Sequence, residues 1–238
     1  MPGELIKKID ATILKIDAAC GDIDRFFKRA KIILPRAVVF HGNVFYRSGR
    51  DGSIKAAMKN LKEAGVLISP VVDFPLGASG RFVKFLQWKE LLRHGADEFD
   101  FCLNLGAFLS GRYSEAWEEL ELPARFSRIK VIIHNHYLAG NRQRLEDAIK
   151  LVRDAGAFCV KDSTGFEPSV DHQAWQDAKK RFLETVRTVA PELKVKLAGG
   201  FKTLADIDFF ERLGGADIYG LSAFYEICLE MKNFSKEE

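Results

Sequence analysis

Two lysines have the type and setting for covalent chemistry. Lys161 lies in Phe158-Cys159-Val160-Lys161-Asp162-Ser163-Thr164-Gly165-Phe166, and Lys196 in Leu193-Lys194-Val195-Lys196-Leu197-Ala198-Gly199-Gly200. Each interrupts an apolar, strand-like run just before small, hydrogen-bonding residues. Burial disfavours an ammonium, and a second amine nearby lowers its proton affinity further. A neutral lysine can then attack a carbonyl and form a Schiff base. The competing reading is a solvated lysine at a strand end, since lysine is mostly exposed. The second lysine tips the balance. Neighbouring strands lie about 5 Å apart, so two inward lysines on adjacent strands can meet. Lys194 alternates onto the same face as Lys196, nearer the start of that strand.

Asp100 sits in Glu98-Phe99-Asp100-Phe101-Cys102-Leu103-Asn104. Phe99, Phe101 and Leu103 share one face of an extended segment, and Glu98, Asp100 and Cys102 share the other. If the aromatic face packs against helices, Asp100 points inward, where a carboxylate needs a cationic partner. A carboxylate beside an amine can shuttle protons during carbinolamine formation and carbon–carbon cleavage.

These side chains need a scaffold. Strand-like runs recur at Leu5 to Leu14, Ala37 to Phe40, Val66 to Phe74, Glu98 to Leu103, Ile129 to His134, Ala157 to Lys161, Leu193 to Ala198 and Ala216 to Leu221. Helical spacing marks Lys55 to Ala64, Asn141 to Ala155, Asp171 to Val189 and Leu204 to Leu213. Gly65, Gly95, Gly156 and Gly215 stand where helices end and strands begin. Alternating strands and helices predict an α/β fold with a parallel sheet, and about eight units favour a single-domain TIM (β/α)8 barrel over residues 1–238. An open doubly wound sheet is the alternative, weakened because no G-x-G-x-x-G turn follows an early strand. In a barrel the strand C-termini carry the chemistry. Asp10, Thr12, Asp73, Asp100, Asn104, His134, Lys161, Lys196 and Ser222 all fall near those ends. Gly199-Gly200 and Gly220-Leu221-Ser222 end the last two strands, where backbone N–H groups of such barrels bind phosphate.

Composition excludes other classes. The chain has 238 residues, 47% hydrophobic and 29% charged, with a net charge of +3 and no basic tract, so no nucleic-acid partner is expected. It shows neither a signal-type apolar segment nor a membrane span, which points to a cytoplasmic protein. Cys20, Cys102, Cys159 and Cys228 form no C-x-x-C pair, and Cys102 and Cys159 read as core residues. His134 and His136 point to opposite faces of an extended segment, so no metal site and no cofactor are expected. A homo-oligomer is left open.

Taken together, the motifs resemble the deoxyribose-phosphate aldolase family. The resemblance runs through Ile9-Asp10-Ala11-Thr12-Ile13-Leu14, Asp73-Phe74-Pro75-Leu76-Gly77, the Asp100 segment, Lys161-Asp162-Ser163-Thr164-Gly165-Phe166, Lys196-Leu197-Ala198-Gly199-Gly200 and Gly220-Leu221-Ser222. It spans nearly the whole chain in the family's order. It implies a TIM-barrel, metal-free class I aldolase that cleaves 2-deoxyribose 5-phosphate to acetaldehyde and glyceraldehyde 3-phosphate. By that resemblance Lys161 forms the Schiff base, Lys196 perturbs its pKa, and Asp100 relays protons. Asp10, Thr12, Thr164, Gly165, Gly199, Gly200, Gly220 and Ser222 would hold substrate or its phosphate. The family's threonine after the Schiff-base lysine is Asp162 here, and the glutamate ending the fifth strand is His134. Both are candidates for altered specificity. Asp162 is expected beside the imine, repelling an anion, and Leu221 and Ala223 are expected to deprive the phosphate of hydroxyl donors. A tail tyrosine of some members is missing from Met231 to Glu238. Two rivals remain: a Schiff-base lyase or transaldolase-like enzyme on another sugar, unphosphorylated sugars included, and a catalytically silent barrel acting as a binding protein or scaffold.

Overall fold

The computed structural model describes residues 2–47 and 52–234. The strands are β1 Ile9–Ile13, β2 Ala37–His41, β3 Leu67–Val72, β4 Glu98–Cys102, β5 Arg128–Ile132, β6 Cys159–Lys161, β7 Lys194–Ala198 and β8 Ile218–Leu221. Each pairs in parallel with the next, and β8 pairs with β1 to close the barrel. This is the predicted (β/α)8 architecture. A helix follows every strand: Cys20–Ile33, Ser53–Glu63, Arg81–Arg93, Tyr113–Phe126, Arg142–Asp154, His172–Val189, Leu204–Glu211 and Phe224–Phe234. No helix among the described residues is long and apolar enough to cross a membrane.

Local chemistry explains the element boundaries. Asn141 and Asp171 cap their helices by accepting from the N–H groups of Arg144 and Ala174. Thr203 and Asp206 form a reciprocal capping box at the start of Leu204–Glu211. Gly65, Gly95, Gly156 and Gly215 all lie at positive φ, as the predicted helix-to-strand junctions require. The run from Leu5 to Leu14 is not one strand. Pro2–Ile6 is helical, and β1 starts only at Ile9. Ile6 turns into the core, and Lys8 pairs with Glu211 at 2.8 Å, so the segment before β1 docks on the far end of the chain. The tail beyond Phe234 lies outside the described residues.

Strand alternation divides the interior. Phe99 and Phe101 of β4 join the apolar layer between sheet and helices, while Glu98, Asp100 and Cys102 face the lumen. The lumen itself has two characters. Over β1 to β3, Leu14, Val39 and Val71 pack with Phe74. Over β4 to β7 and the lower part of β1 it is filled by buried charge.

Candidate active site

The lumen charge is layered. At the base Arg36, just ahead of β2, donates to both Asp10 and Glu98, with 2.7 Å from its Nε to Asp10 Oδ1. Lys130 of β5 donates to Glu98 Oε1 at 2.6 Å and to Ser69 Oγ at 2.7 Å. Above them, Lys161 and Lys196 are direct register partners on β6 and β7. Both ammonium groups donate to the same oxygen, Asp100 Oδ2, each at 2.8 Å. Lys196 also donates to Asp10 Oδ2 at 2.6 Å. Asp100 Oδ1 lies 2.8 Å from Lys130 Nζ, yet no hydrogen bond to it is aligned among the described residues.

Burial and charge set the protonation states. Burial alone would raise the Asp100 carboxyl, but Lys130, Lys161 and Lys196 hold it well below the usual carboxylate range. Asp10 is likewise depressed, its burial outweighed by Lys196, Arg36 and Lys130. Burial pushes Lys130 down, and Asp100, Glu98 and Asp10 more than reverse this, so its ammonium is held above the usual lysine value. Lys196 goes the other way. Burial, with the charges of Lys130 and Lys161, lowers its pKa against the pull of Asp10 and Asp100. Four basic groups, Arg36, Lys130, Lys161 and Lys196, thus face three carboxylates, Asp10, Glu98 and Asp100. The excess basic group falls at the pair that shares Asp100 Oδ2, where the Lys196 pKa is lowered. Among the described residues Lys161 has Asp100 as its ionic partner, whereas Lys196 has Asp10 as well.

Gly220 makes this arrangement possible. A Cβ there would come within 3.1 Å of Lys196 Cε and 2.9 Å of Ala198 Cβ. Gly220, expected at a phosphate, instead clears the lumen for the Lys196 stem. Asp10, also expected on substrate, is fully buried beneath Lys196 as its counter-ion. Thr12 stands one step further along the same face of β1, half-buried, its hydroxyl donating to Asp10 O at 3.0 Å. The Phe74 ring centroid lies 5.9 Å from Lys161 Nζ, and Phe166 packs edge-on against Phe74 at 5.5 Å, forming an aromatic wall beside the amine.

The loops after β6 and β7 meet beside this centre. A Cβ on Gly199 would come within 2.8 Å of Gly165 Cα, so only glycine lets the two loops touch. They line a cavity of about 520 Å³ that also takes in Asp162, Glu167, Lys179, Gly200, Lys202 and Asp206. Among the described residues nothing accepts from the N–H groups of Gly199, Gly200 or Ser222. Ser222 is exposed just ahead of the helix Phe224–Phe234. Thr164 is buried, and its hydroxyl accepts from Phe166 N–H. Burial would raise the Glu167 carboxyl. His134 and the N–H of Thr164 instead bring it down to about 2. His134 itself is buried at positive φ, its Nδ1 3.6 Å from Glu167 Oε1 and its Nε2 without a hydrogen-bond partner among the described residues.

Two expectations need correction. Asp162 does not face the imine position. Successive residues of a strand point to opposite sides, so with Lys161 inward Asp162 points outward. There it is buried, bonded to Lys179 of the helix His172–Val189, and accepts from Ala198 N–H at 2.8 Å. Burial outweighs these partners and leaves its carboxyl above the usual value. Leu221 is likewise turned away, fully buried in the layer between sheet and helices, so it displaces no donor from a phosphate. Lys130, Arg36 and Glu98 complete the lumen beyond the residues singled out from the sequence for chemistry. Lys130 carried the signal that flagged Lys161, a lysine alternating with apolar residues in a strand. Arg36 and Glu167, in connecting segments, carried none.

A closed barrel with two lysines sharing one carboxylate inside its wall is the arrangement of a lysine-dependent, class I aldolase. No family model matches the chain. It is 34% identical over 235 residues to a deoxyribose-phosphate aldolase of Caldicellulosiruptor saccharolyticus, covering 95% of this chain and 98% of that protein. A deoxyribose-phosphate aldolase of Staphylococcus carnosus is 33% identical, with 96% and 97% covered. A solved deoxyribose phosphate aldolase from Aeropyrum pernix, described as a tetramer, superposes with a TM-score of 0.81 at 23% identity, over 98% of this chain and 93% of that one. The chain belongs to the deoxyribose-phosphate aldolase family.

Proposed function

We propose that this aldolase cleaves 2-deoxyribose 5-phosphate to acetaldehyde and glyceraldehyde 3-phosphate, reversibly, through an imine on Lys161. The observation that carries the reading is the shared oxygen: two amines on one carboxylate, with a third lysine below. Neutral Lys161 attacks the aldehyde carbon of the open-chain sugar. Asp100 and Lys196 pass the protons that turn the carbinolamine into an iminium and water. Loss of the proton from the hydroxyl at C3 then breaks the C2–C3 bond. The bonding pair moves into the iminium to give an enamine, and glyceraldehyde 3-phosphate leaves. Protonation at C2 and hydrolysis release acetaldehyde and return the Lys161 amine.

The phosphate would lie in the cavity at the β6 and β7 ends, near the N–H groups of Gly199 and Gly200 and the Lys202 side chain. Borohydride reduction during turnover tests the reading. An adduct of the donor aldehyde is expected on the peptide holding Lys161. Labelling of Lys196 with Lys161 unmodified would reverse the assignment. No labelling with either 2-deoxyribose or its phosphate would favour a binding protein over an enzyme.

A further inference from the structure

Glu167 occupies a place made for an anion. The N–H groups of Thr164 and Gly165 are consecutive, and Gly165 lies at φ +86, so the pair forms a backbone concavity that favours negative charge. Both N–H groups donate to the Glu167 carboxylate, Thr164 to Oε1 at 2.7 Å and Gly165 to Oε2 at 2.8 Å. His134 Nδ1 stands 3.6 Å behind Oε1. The Glu167 side chain is only 9% exposed, so the carboxylate is seated rather than passing through. Gly165 abuts Gly199, and Glu167, Gly165, Gly199, Gly200 and Lys202 line one cavity. A negative group of the chain itself therefore sits in the cavity where the free glycine N–H groups await a ligand.

We propose that Glu167 determines specificity as a resident anion: an incoming phosphate must repel or displace its carboxylate, whereas a sugar ending in a neutral hydroxyl need not. Glu167 thus weakens the hold on phosphorylated substrate and narrows the preference for it over 2-deoxyribose. The choice of sugar rests on the aldolase reading above, but the anion competition does not.

The test replaces the charge and keeps the shape. In Glu167→Gln, the Kd for inorganic phosphate should fall about tenfold, the scale of a screened unit-charge repulsion. KM for 2-deoxyribose 5-phosphate should fall by a similar factor, with kcat and the KM for 2-deoxyribose little changed. Glu167→Asp, which keeps the charge, should stay near the parent. Glu167→Ser serves if the glutamine variant does not fold, with the same expectation. A phosphate Kd that is unchanged or weaker in the neutral variant overturns the proposal. Phosphate titration needs no turnover, so failure to trap an imine on Lys161 would sink the aldolase reading and leave this result to stand or fall by itself.

Discussion

Among the described residues five lysines are buried, and they fall into two arrangements. Lys130, Lys161 and Lys196 stand inside the barrel wall and divide Asp10, Glu98 and Asp100 among them. Lys84 and Lys179 stand outside it, on the helices Arg81–Arg93 and His172–Val189. Each of these two meets a carboxylate and the carbonyl that ends a strand: Glu119 with Cys102 O, and Asp162 with Ala198 O. The residue type and the degree of burial are the same, but the sharing differs. Each outer lysine acts as a strut between helix and strand end. In the lumen two lysines share one oxygen, and burial with the neighbouring ammonium groups lowers the Lys196 pKa. On the proposed mechanism the lumen holds reactive nitrogen, and the outer wall holds structural nitrogen.

The largest effect should come from the lumen. Lys161→Met removes the nucleophile and should lower kcat/KM by at least about 10⁴-fold, the scale seen when a catalytic nucleophile is lost. Borohydride should then leave no adduct, while the melting temperature stays near the parent. An adduct that persists at full yield would move the chemistry to Lys196 and break the comparison at its centre.

Asp100→Asn comes next. Loss of a proton relay costs about 10²- to 10⁴-fold in kcat. The sign of the pH effect follows from the charges. Asp100 raises the proton affinity of Lys196, so its removal lowers that affinity further. The acid limb of kcat/KM should move to lower pH even as the rate falls. A limb that moves to higher pH would mean that Asp100 does not stabilise the ammonium.

The outer struts should respond in stability instead. Lys179→Met leaves Asp162 buried and unpaired, and Lys84→Met does the same to Glu119. Breaking one side of a buried pair costs about 3–5 kcal/mol. Denaturant unfolding should show that loss, while kcat per folded molecule changes far less than in the lumen variants. If Lys179→Met folds with parent stability but cannot form the imine, the division into reactive and structural lysines fails.

The same division explains what could be read from the chain. The eight strands were legible because alternation and apolar runs are local, and glycine junctions marked the starts of β3, β4, β6 and β8. Half of the helices following strands were not. Arg81–Arg93 exposes Phe82, Val83 and Leu86 and buries Lys84, so its apolar residues mark no single face. Tyr113–Phe126 carries Pro123 inside it. Lys161, Lys196 and Asp100 were legible as ionisable residues in apolar strands, and Lys130 met the same criterion. Lys84 and Lys179 were not, because a lysine on a helix looks solvated until its neighbours across the fold are known. The side to which Asp162 points follows from that of Lys161 by alternation alone. Its charge next to a reactive lysine in sequence hid the fact that it lies behind the strand.

The smallest expected effect is therefore informative. Asp162→Thr should change the ratio of kcat/KM for 2-deoxyribose 5-phosphate to that for 2-deoxyribose by less than about twofold, below 0.5 kcal/mol on the usual scale. The carboxylate is neutralised by Lys179 and separated from the Lys161 amine by the turn of the strand. Stability is where the substitution should register, because it leaves Lys179 buried without its counter-ion. Adding Lys179→Met should recover much of the loss, since a buried pair replaced on both sides is often close to neutral. Glu167→Gln, one loop further on, should move the selectivity ratio that Asp162→Thr leaves in place. A large shift in Asp162→Thr, with none in Glu167→Gln, would mean that the carboxylate paired with Lys179, and not the one seated on the Thr164 and Gly165 N–H groups, governs the substrate. That outcome would invert the assignment of inner and outer groups on which the comparison depends.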